Sequence, residues 1–195
     1  VGNGSKAVGT QKINTMGEMK TTGNDLDVAI QGRGYFQVEM PDGSTAYTKD
    51  GSFKRNNQGE LVTSNGHRLQ PGIVIPAGTT KVSVSTDGSI SVITGNEAIS
   101  ENIGQIETAT FLNPSGLSNI GQNYLKPTSA SGDPQIGIPG ENGFGDLSQK
   151  MVEASNVKVV EEMVNMIAAQ RAYEVNTKSI QSADNMLQLA NNLKR

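Results

Sequence analysis

The sequence contains no cysteine and no tryptophan, and its single histidine is His67. Without cysteine the chain forms no disulfide, no thiolate metal site and no cysteine nucleophile. One histidine excludes a metal centre built from several histidines and weakens most acid–base schemes of catalysis. Aromatic residues make up 4% and hydrophobic residues 34% of the 195 positions. This balance is typical of short strands and turns rather than of a doubly wound enzyme.

Concentrated charge and long apolar runs are also missing. The formal net charge is −3 without a basic block, so nothing indicates nucleic acid as a partner. No run approaches the roughly 18–20 consecutive apolar residues of a membrane helix. The chain starts at Val1 without the basic and apolar leader of a cleaved signal peptide. We therefore expect a processed chain, a fragment, or a protein exported without a cleaved signal.

Glycine and proline stop abruptly along the chain. All 23 glycines and all seven prolines lie before Asp146. Because both residue types interrupt helices, their disappearance predicts a turn-rich β body followed by one long helix. The predicted fold class is mainly β with an α appendage, a single antiparallel domain of hairpins plus a coiled-coil-type helix. Its three parts are an extended arm (1–22), a β-rich domain (23–154) and a C-terminal helix (155–195).

Repeated turn sequences predict an antiparallel meander in the β-rich domain. Asp-Gly-Ser occurs three times, starting at Asp42, Asp50 and Asp87, each time between strand-like runs. Asp-Gly supplies the positive φ angles that twisted hairpins require. Pro127–Gly145, with three prolines and five glycines, is predicted to be an irregular surface loop. The later predicted strands are Lys81–Ser85, Ser89–Ile93, Gly104–Leu112, Asn123–Lys126 and Leu147–Glu153.

The motifs that suggest chemistry do not complete a site. Gly32–Gly34 begins like a dinucleotide fingerprint, but the third glycine is missing and a strand follows instead of a helix. A bulge or a close approach of strands explains these glycines better. Asn24, Asp25 and Asp27 lack the glycine and the distal glutamate of a calcium loop, so we interpret them as an Asx turn. With His67 read as a turn residue, we predict no catalytic, cofactor-binding or metal site.

The predicted helix carries a heptad repeat. Met166, Tyr173, Ile180 and Leu187 are spaced seven apart, and a parallel series holds mostly alanine. A seven-residue repeat keeps one seam facing a partner helix. Packing along the chain's own β domain is the alternative, but that domain is too short to cover the helix. The predicted interface residues are Met163, Met166, Ile167, Tyr173, Ile180, Ala183 and Leu187.

Four segments of the sequence resemble one protein family. They are DVAIQGRGYFQV (Asp27–Val38), PDGSTAYTKDGSF (Pro41–Phe53), NNQGELVTSNGHRLQP (Asn56–Pro71) and EASNVKVVEEMVNMIAAQRAYEVNTKSIQSADNML (Glu153–Leu187). In this order they resemble the axial proteins of the bacterial flagellar rod and hook. The last segment is the most specific. Within the family, the Gln170–Glu174 stretch and the single short β domain favour the distal rod over the hook, with the proximal rod as the nearer competitor.

The resemblance implies a structural subunit that polymerises into a rigid hollow shaft and transmits motor torque to the hook. It also implies contacts with copies of the chain, with proximal rod and hook proteins at the shaft's ends, and with ring proteins around it. Export by the flagellar type III apparatus and a place in the periplasm-spanning rod of the basal body follow from the same resemblance. Family members begin with a helical segment that this chain lacks, and that segment would pair with 146–195.

A second hypothesis belongs to another class of function. The β-rich domain would be a binding module, such as a surface adhesin or a phage-tail-like fragment, with Pro127–Gly145 as its recognition loop. An enzyme is a third and weaker interpretation, because the sequence shows no cluster of polar residues suited to catalysis. Neither nucleic acid nor a small-molecule substrate is expected as a partner, and no cofactor is expected.

Overall fold

Short antiparallel strands and one long helix form the described parts of the chain. The computed structural model describes residues 6, 8–9, 12–95 and 100–193. Two units are distinguished, Val1–Ala154 and Ser155–Arg195, and each is described by itself. The first unit contains sixteen strands in its described residues, as the mainly β fold class predicts. The second contains α1, which spans Val159–Leu193.

The strands are short, as the frequent turn sequences predict. In chain order their bounds are β1 Met19–Thr21, β2 Val28–Gln31, β3 Tyr35–Glu39, β4 Thr45–Thr48, β5 Lys54–Arg55, β6 Leu61–Val62, β7 Arg68–Gln70, β8 Thr79–Val84, β9 Ser89–Thr94, β10 Ser100–Gln105, β11 Thr108–Thr110, β12 Ser118–Gly121, β13 Tyr124–Lys126, β14 Gln135–Gly137, β15 Asp146–Gln149 and β16 Met151–Glu153.

The sheet topology goes beyond the predicted meander. The largest sheet runs in the order β12-β13-β4-β3-β7-β6-β5, with β11 and β14 branching from β3. A second sheet has the order β10-β9-β8, and two further pairs join β15 to β2 and β1 to β16. Pairs such as β2–β15 connect strands that are far apart in sequence. The turns therefore define local hairpins, while long-range pairing closes the domain.

The main core lies under these long-range pairs. Phe36 of β3 and Phe53 are almost completely buried, and their rings meet edge to face with centroids 5.0 Å apart. Ile30 and Leu147, which are paired across β2 and β15, belong to the same cluster. Alternating strand residues thus place one face of each strand in the core. Burial of such side chains stabilises a fold by about 1.5–3 kcal/mol each.

A second, aromatic cluster packs around Phe111. The ring of Tyr47 lies 4.9 Å from it and that of Tyr35 lies 5.8 Å from it, both edge to face. Burial raises the pKa of both tyrosines above the usual 10.0, and the nearby Glu153 carboxylate raises that of Tyr35 further. Both hydroxyls therefore stay protonated at neutral pH.

Three of the predicted strands are confirmed to within two residues, as β8, β9 and β13. Two others are wrong as continuous strands. Gly104–Leu112 is interrupted where Ile106 turns fully into the core, and its N–H donates to the Gly88 carbonyl at 2.8 Å. Leu147–Glu153 is interrupted at Lys150, whose φ is 64°. Core packing and local backbone shape outweigh the continuous strand pattern at both places.

Three further expectations need correction. Pro127–Gly145 is not wholly irregular, because it contains β14, which pairs with β11. The arm is not extended throughout, since β1 pairs with β16; residues 1–5, 7, 10 and 11 of the arm lie outside the described residues. The helix begins at Val159 rather than near Ser155 and Asn156. The Ser155 hydroxyl instead accepts a bond from Val157 N–H at 3.2 Å, in the segment before the helix.

The glycine and acidic motifs have structural explanations. A Cβ on Gly145 would lie 2.6 Å from the Gln31 carbonyl oxygen, and a Cβ on Gly32 would lie 3.3 Å from the Gly145 Cα. Gly32 therefore allows the close backbone approach that the sequence indicates. Asn24 forms the predicted Asx turn, because its side-chain oxygen accepts from Leu26 N–H at 3.4 Å and its amide donates to Asp27 at 3.0 Å.

Gly51 holds a close approach on which the core depends. A Cβ on Gly51 would lie 1.7 Å from the carbonyl oxygen of Val28, which is backbone and unable to swing away. Val28 N–H also donates to the Gly51 carbonyl at 3.0 Å. The turn that begins at Asp50 is thereby fixed against β2.

We predict that Gly51→Ala lowers the free energy of unfolding by about 3 kcal/mol or more, because β2 must move to admit the methyl group. Gly72→Ala is the matched control, since a Cβ on Gly72 meets nothing within 4 Å, and it should change stability by less than about 0.5 kcal/mol. Urea unfolding of both variants measures the difference. Equal stabilities would contradict the close approach.

We also predict that the β-rich unit folds without the helix. Deletion of 156–195 should leave a cooperative thermal unfolding transition, because the buried clusters and paired strands lie within the first unit. Circular dichroism of the shortened chain measures this directly. A collapse of its β signal would show that the domain depends on the helix.

Candidate assembly interface

The candidate interface is built on one uninterrupted helix. α1 contains 35 residues, including Glu161 and Glu162 in its first turn, where carboxylates interact favourably with the helix dipole. It is about 52 Å long, several times the ordinary length of a helix in a globular domain. The absence of glycine and proline after Gly145 allows this length.

The large apolar side chains of α1 are all exposed in the described residues. Their exposed fractions range from 51% for Ile167 to 76% for Val160, and Tyr173 stands at 74%. Exposure of a single apolar side chain is ordinary, but a long series of them marks an interaction surface. Helical stability in proteins comes mainly from packing of such a face. The second unit therefore presents a surface that needs a partner.

Five of the seven predicted interface residues share one face of α1. At 3.6 residues per turn, they lie within about 60° of Met166 around the helix axis. We call this set the first face. Its members are Met163, Met166, Tyr173, Ile180 and Leu187.

Two predicted interface residues lie beside the first face rather than on it. Ile167 lies about 100° from Met166 in one direction, and Ala183 lies about 100° from it in the other. The side of Ala183 holds small and polar residues, among them Asn165 and Ser179. A small-residue side lets another helix come close.

Sequence analysis missed a second apolar face. A further group lies about 100–200° from Met166, on the opposite side of the helix. The heptad template, which follows a single seam, does not contain this group; counting all apolar residues by angle would have found it. We call it the second face, and its members are Val160, Val164, Ile167, Val175, Met186 and Leu189.

The segment that leads to α1 is fastened within the first unit by Glu153. Its carboxylate accepts the Gly17 N–H at 2.8 Å and lies 3.4 Å from the Lys49 ammonium. Ala154 N–H donates to the Glu18 carbonyl at 2.9 Å. The carboxylate is mostly buried, with 12% of the side chain exposed. The arm and the segment before the helix therefore run side by side.

The described residues offer little for catalysis. Among them no group of three or more histidine, cysteine or acidic residues is placed to hold a metal ion. His67 is half-buried, and its ring meets Tyr124 edge to face with centroids 5.3 Å apart. It is more than the solvated turn residue that the sequence indicates. No helix within the described ranges is long and apolar enough to cross a membrane.

Comparison with known proteins identifies the family. The model of the family described as flagellar hook protein FlgE/F/G D1 domain matches residues 29–92, and that of the flagellar basal body rod FlgEFG protein C-terminal family matches residues 148–193. The chain is 49% identical to the flagellar basal-body rod protein FlgG of Borreliella burgdorferi, over the whole chain and 74% of that relative. It is 45% identical to FlgG of Caulobacter vibrioides, with 100% and 74% covered.

The chain belongs to the FlgG family of flagellar basal-body rod proteins. A more distant similarity reaches the flagellar hook protein FlgE of Salmonella typhimurium, at 34% identity over 78% of the chain and 38% of that relative. FlgG-family membership confirms the resemblance seen in the sequence. It makes the chain a structural subunit of the flagellar distal rod, located in the flagellar basal body. The comparisons give no support to an adhesin or phage-tail-like binding module, and a structural family argues against an enzyme.

We predict that the dilute chain is a monomer whose helix is weakly protected. The side chains of α1 gain little from facing water, while ordering each residue's backbone costs about 1–2 kcal/mol. Hydrogen–deuterium exchange should therefore be fast across Met163–Leu187 and slow in the strands β2, β3 and β15. Protection of the helix equal to that of the strands would mean that it has a partner within the chain.

Proposed function

We propose that α1 joins subunits of the rod through its two apolar faces. The carrying observation is that the large apolar side chains of α1 are all more than half exposed. In this proposal the helix (155–195) forms the axial contacts, and the β-rich domain (23–154) and the arm (1–22) form lateral ones. Contacts of this kind that repeat without closing generate a helical polymer.

Two faces on opposite sides of one helix favour two different helical neighbours. The first face includes the heptad seam at Met166, Tyr173, Ile180 and Leu187, which suits a long parallel or antiparallel contact with one helix. The second face needs another partner, since one neighbouring helix cannot cover both sides. Each buried large apolar side chain contributes about 1.5–3 kcal/mol. Several such side chains outweigh the cost of ordering the helix.

One of the two neighbours is proposed to come from the same protein. The resemblance described above implies an N-terminal helical segment in family members, which pairs with 146–195. β1 and β16 run side by side next to the start of the helix, so the arm returns to the region from which the helix leaves. This pairing of strands supports a joint departure of both terminal segments from the β-rich domain. The other neighbour would be a second copy.

Wider partners and location follow from the family. The FlgE, FlgF and FlgG names joined in the matching family models support polymerisation with copies of the chain and with adjoining rod and hook proteins. We further propose contacts with ring proteins around the rod, a periplasm-spanning location and export by the flagellar type III apparatus. A chain without cysteine suits passage through an oxidising compartment, because no wrong disulfide can form.

The decisive variant is Ile180→Asp, in the middle of the first face. A charge without a partner is far costlier to bury than one lost apolar side chain. We predict that rods fail to assemble and that a complemented strain is non-motile, while the β-rich domain keeps its thermal transition. Electron microscopy of basal bodies and a swimming assay measure both effects.

Ser179→Asp is the matched control, because it places the same charge one residue away and outside both apolar faces. Its hydroxyl bonds only within the helix, to the Val175 carbonyl at 2.9 Å. This variant should assemble and swim much better than Ile180→Asp. Normal motility with Ile180→Asp, in cells that contain the variant at the usual level, would contradict the role of the first face.

A further inference from the structure

The β-rich unit ends in several edge strands, and each of them has unpaired backbone groups. In the described residues the edges are β12 and β5 of the large sheet, β14 on its branch, and β10 and β8 of the three-stranded sheet. Exposed edges invite pairing with another chain. Copies in a polymer meet at effective concentrations in the millimolar range. An unprotected edge would therefore compete with the intended contacts.

Two of these edges carry the same tripeptide at the same irregularity. β10 contains Asn102-Ile103-Gly104 and β12 contains Asn119-Ile120-Gly121. In each, the asparagine and the glycine pair with consecutive residues of the neighbouring strand, so the isoleucine is one residue too many. Both strands therefore have a β-bulge, which bends an edge and disrupts its ladder.

The hydrogen bonding of the two bulges is also the same. Gly104 N–H donates to the side-chain oxygen of Asn102 at 3.0 Å, and Gly121 N–H donates to that of Asn119 at 2.8 Å. Each glycine donor is thus occupied within its own strand. The φ angles of the glycines are 156° and 96°, values that L side chains rarely adopt. Identical residues in identical geometry at two separate edges point to a common purpose.

The remaining edges are protected in other ways. β5 has only two residues, Lys54 and Arg55, and short charged strands are poor templates for pairing. β14 lies between Pro134 and Pro139, which lack a backbone donor. On β8 the Val82 carbonyl already accepts from the Gln149 side chain at 2.9 Å.

We propose that the paired Asn-Ile-Gly bulges prevent the β-rich units of two copies from joining their sheets. Copies of this chain then associate through side-chain contacts and through α1, and not by strand addition. The inference concerns the edges of the first unit and stands independently of the roles proposed for the two faces of the helix. The partner that the bulges exclude is a second copy of this chain.

Deletion of Ile120 tests the proposal most directly. It removes the extra residue from β12 and aligns Asn119 and Gly121 with the consecutive partners Leu125 and Tyr124. The side chain of Ile120 is 46% exposed, so its loss costs little core packing. Asn119→Ala and Asn102→Ala are milder variants, which free the glycine donors without changing the length. Asn57→Ala, in an exposed turn away from the edges, is the matched control.

Sedimentation of the 195-residue chain over a concentration series is the measurement, with each variant made alone and together with Ile180→Asp. We expect the Ile120 deletion to associate about tenfold more tightly or more than the parent. Hydrogen exchange at Ser118–Gly121 should slow at the same time. Asn119→Ala and Asn102→Ala should show a smaller increase, and Asn57→Ala none. Ile180→Asp should leave all these differences in place.

Three results would overturn the proposal. The first is a folded Ile120 deletion that sediments like the parent. The second is association that Ile180→Asp abolishes, because it would then belong to the helix and not to the edge. If the deletion fails to fold, the two asparagine variants decide the question, and the absence of any increase in both is the third. A failure of rod assembly in Ile180→Asp alone bears on the helix and leaves this inference intact.

Discussion

The apolar side chains of α1 must be buried for the helix to be stable, and the described part of the chain leaves them exposed. This constraint separates the molecule into two tasks. The strands of the first unit bury their own side chains around Phe36 and Phe53. The helix carries its apolar residues on two opposite sides, so that its stability depends on neighbours. Assembly is then coupled to helix formation, because each contact stabilises the helix that makes it.

Such a division suits a subunit that must not polymerise early. A helix without partners gains little from its apolar side chains, and a β-rich unit with protected edges offers no strand for pairing. The isolated chain is thereby kept soluble by two independent features. Within a growing rod, copies are held side by side and the same helix finds partners at high effective concentration. Glu153, which fastens the arm beside the segment before α1, ties the two units together at this point.

The sequence predicts local structure well and long-range structure poorly. The Asp-Gly-Ser turns, the Asx turn at Asn24 and the close approach at Gly32 are confirmed, because each depends on a few neighbouring residues. The β2–β15 and β1–β16 pairs join strands more than a hundred residues apart, and no turn residue encodes them. The predicted strand Gly104–Leu112 is interrupted because Ile106 is needed in the core. Within the interface, the heptad identifies the first face, whereas the second face has no regular spacing and is missed.

The central claim is that both faces of α1 become buried when the rod assembles. The absence of cysteine allows a direct test, since a single cysteine can be placed at any helix position without interference. Maleimide labelling should be compared between dilute chains and isolated rods, with cysteine at 166, 180, 164, 175 or 179. The account predicts rapid labelling of all five positions in dilute chains and strong protection of the first four in rods. Equal labelling of positions 164, 166, 175 and 180 in both states would contradict it.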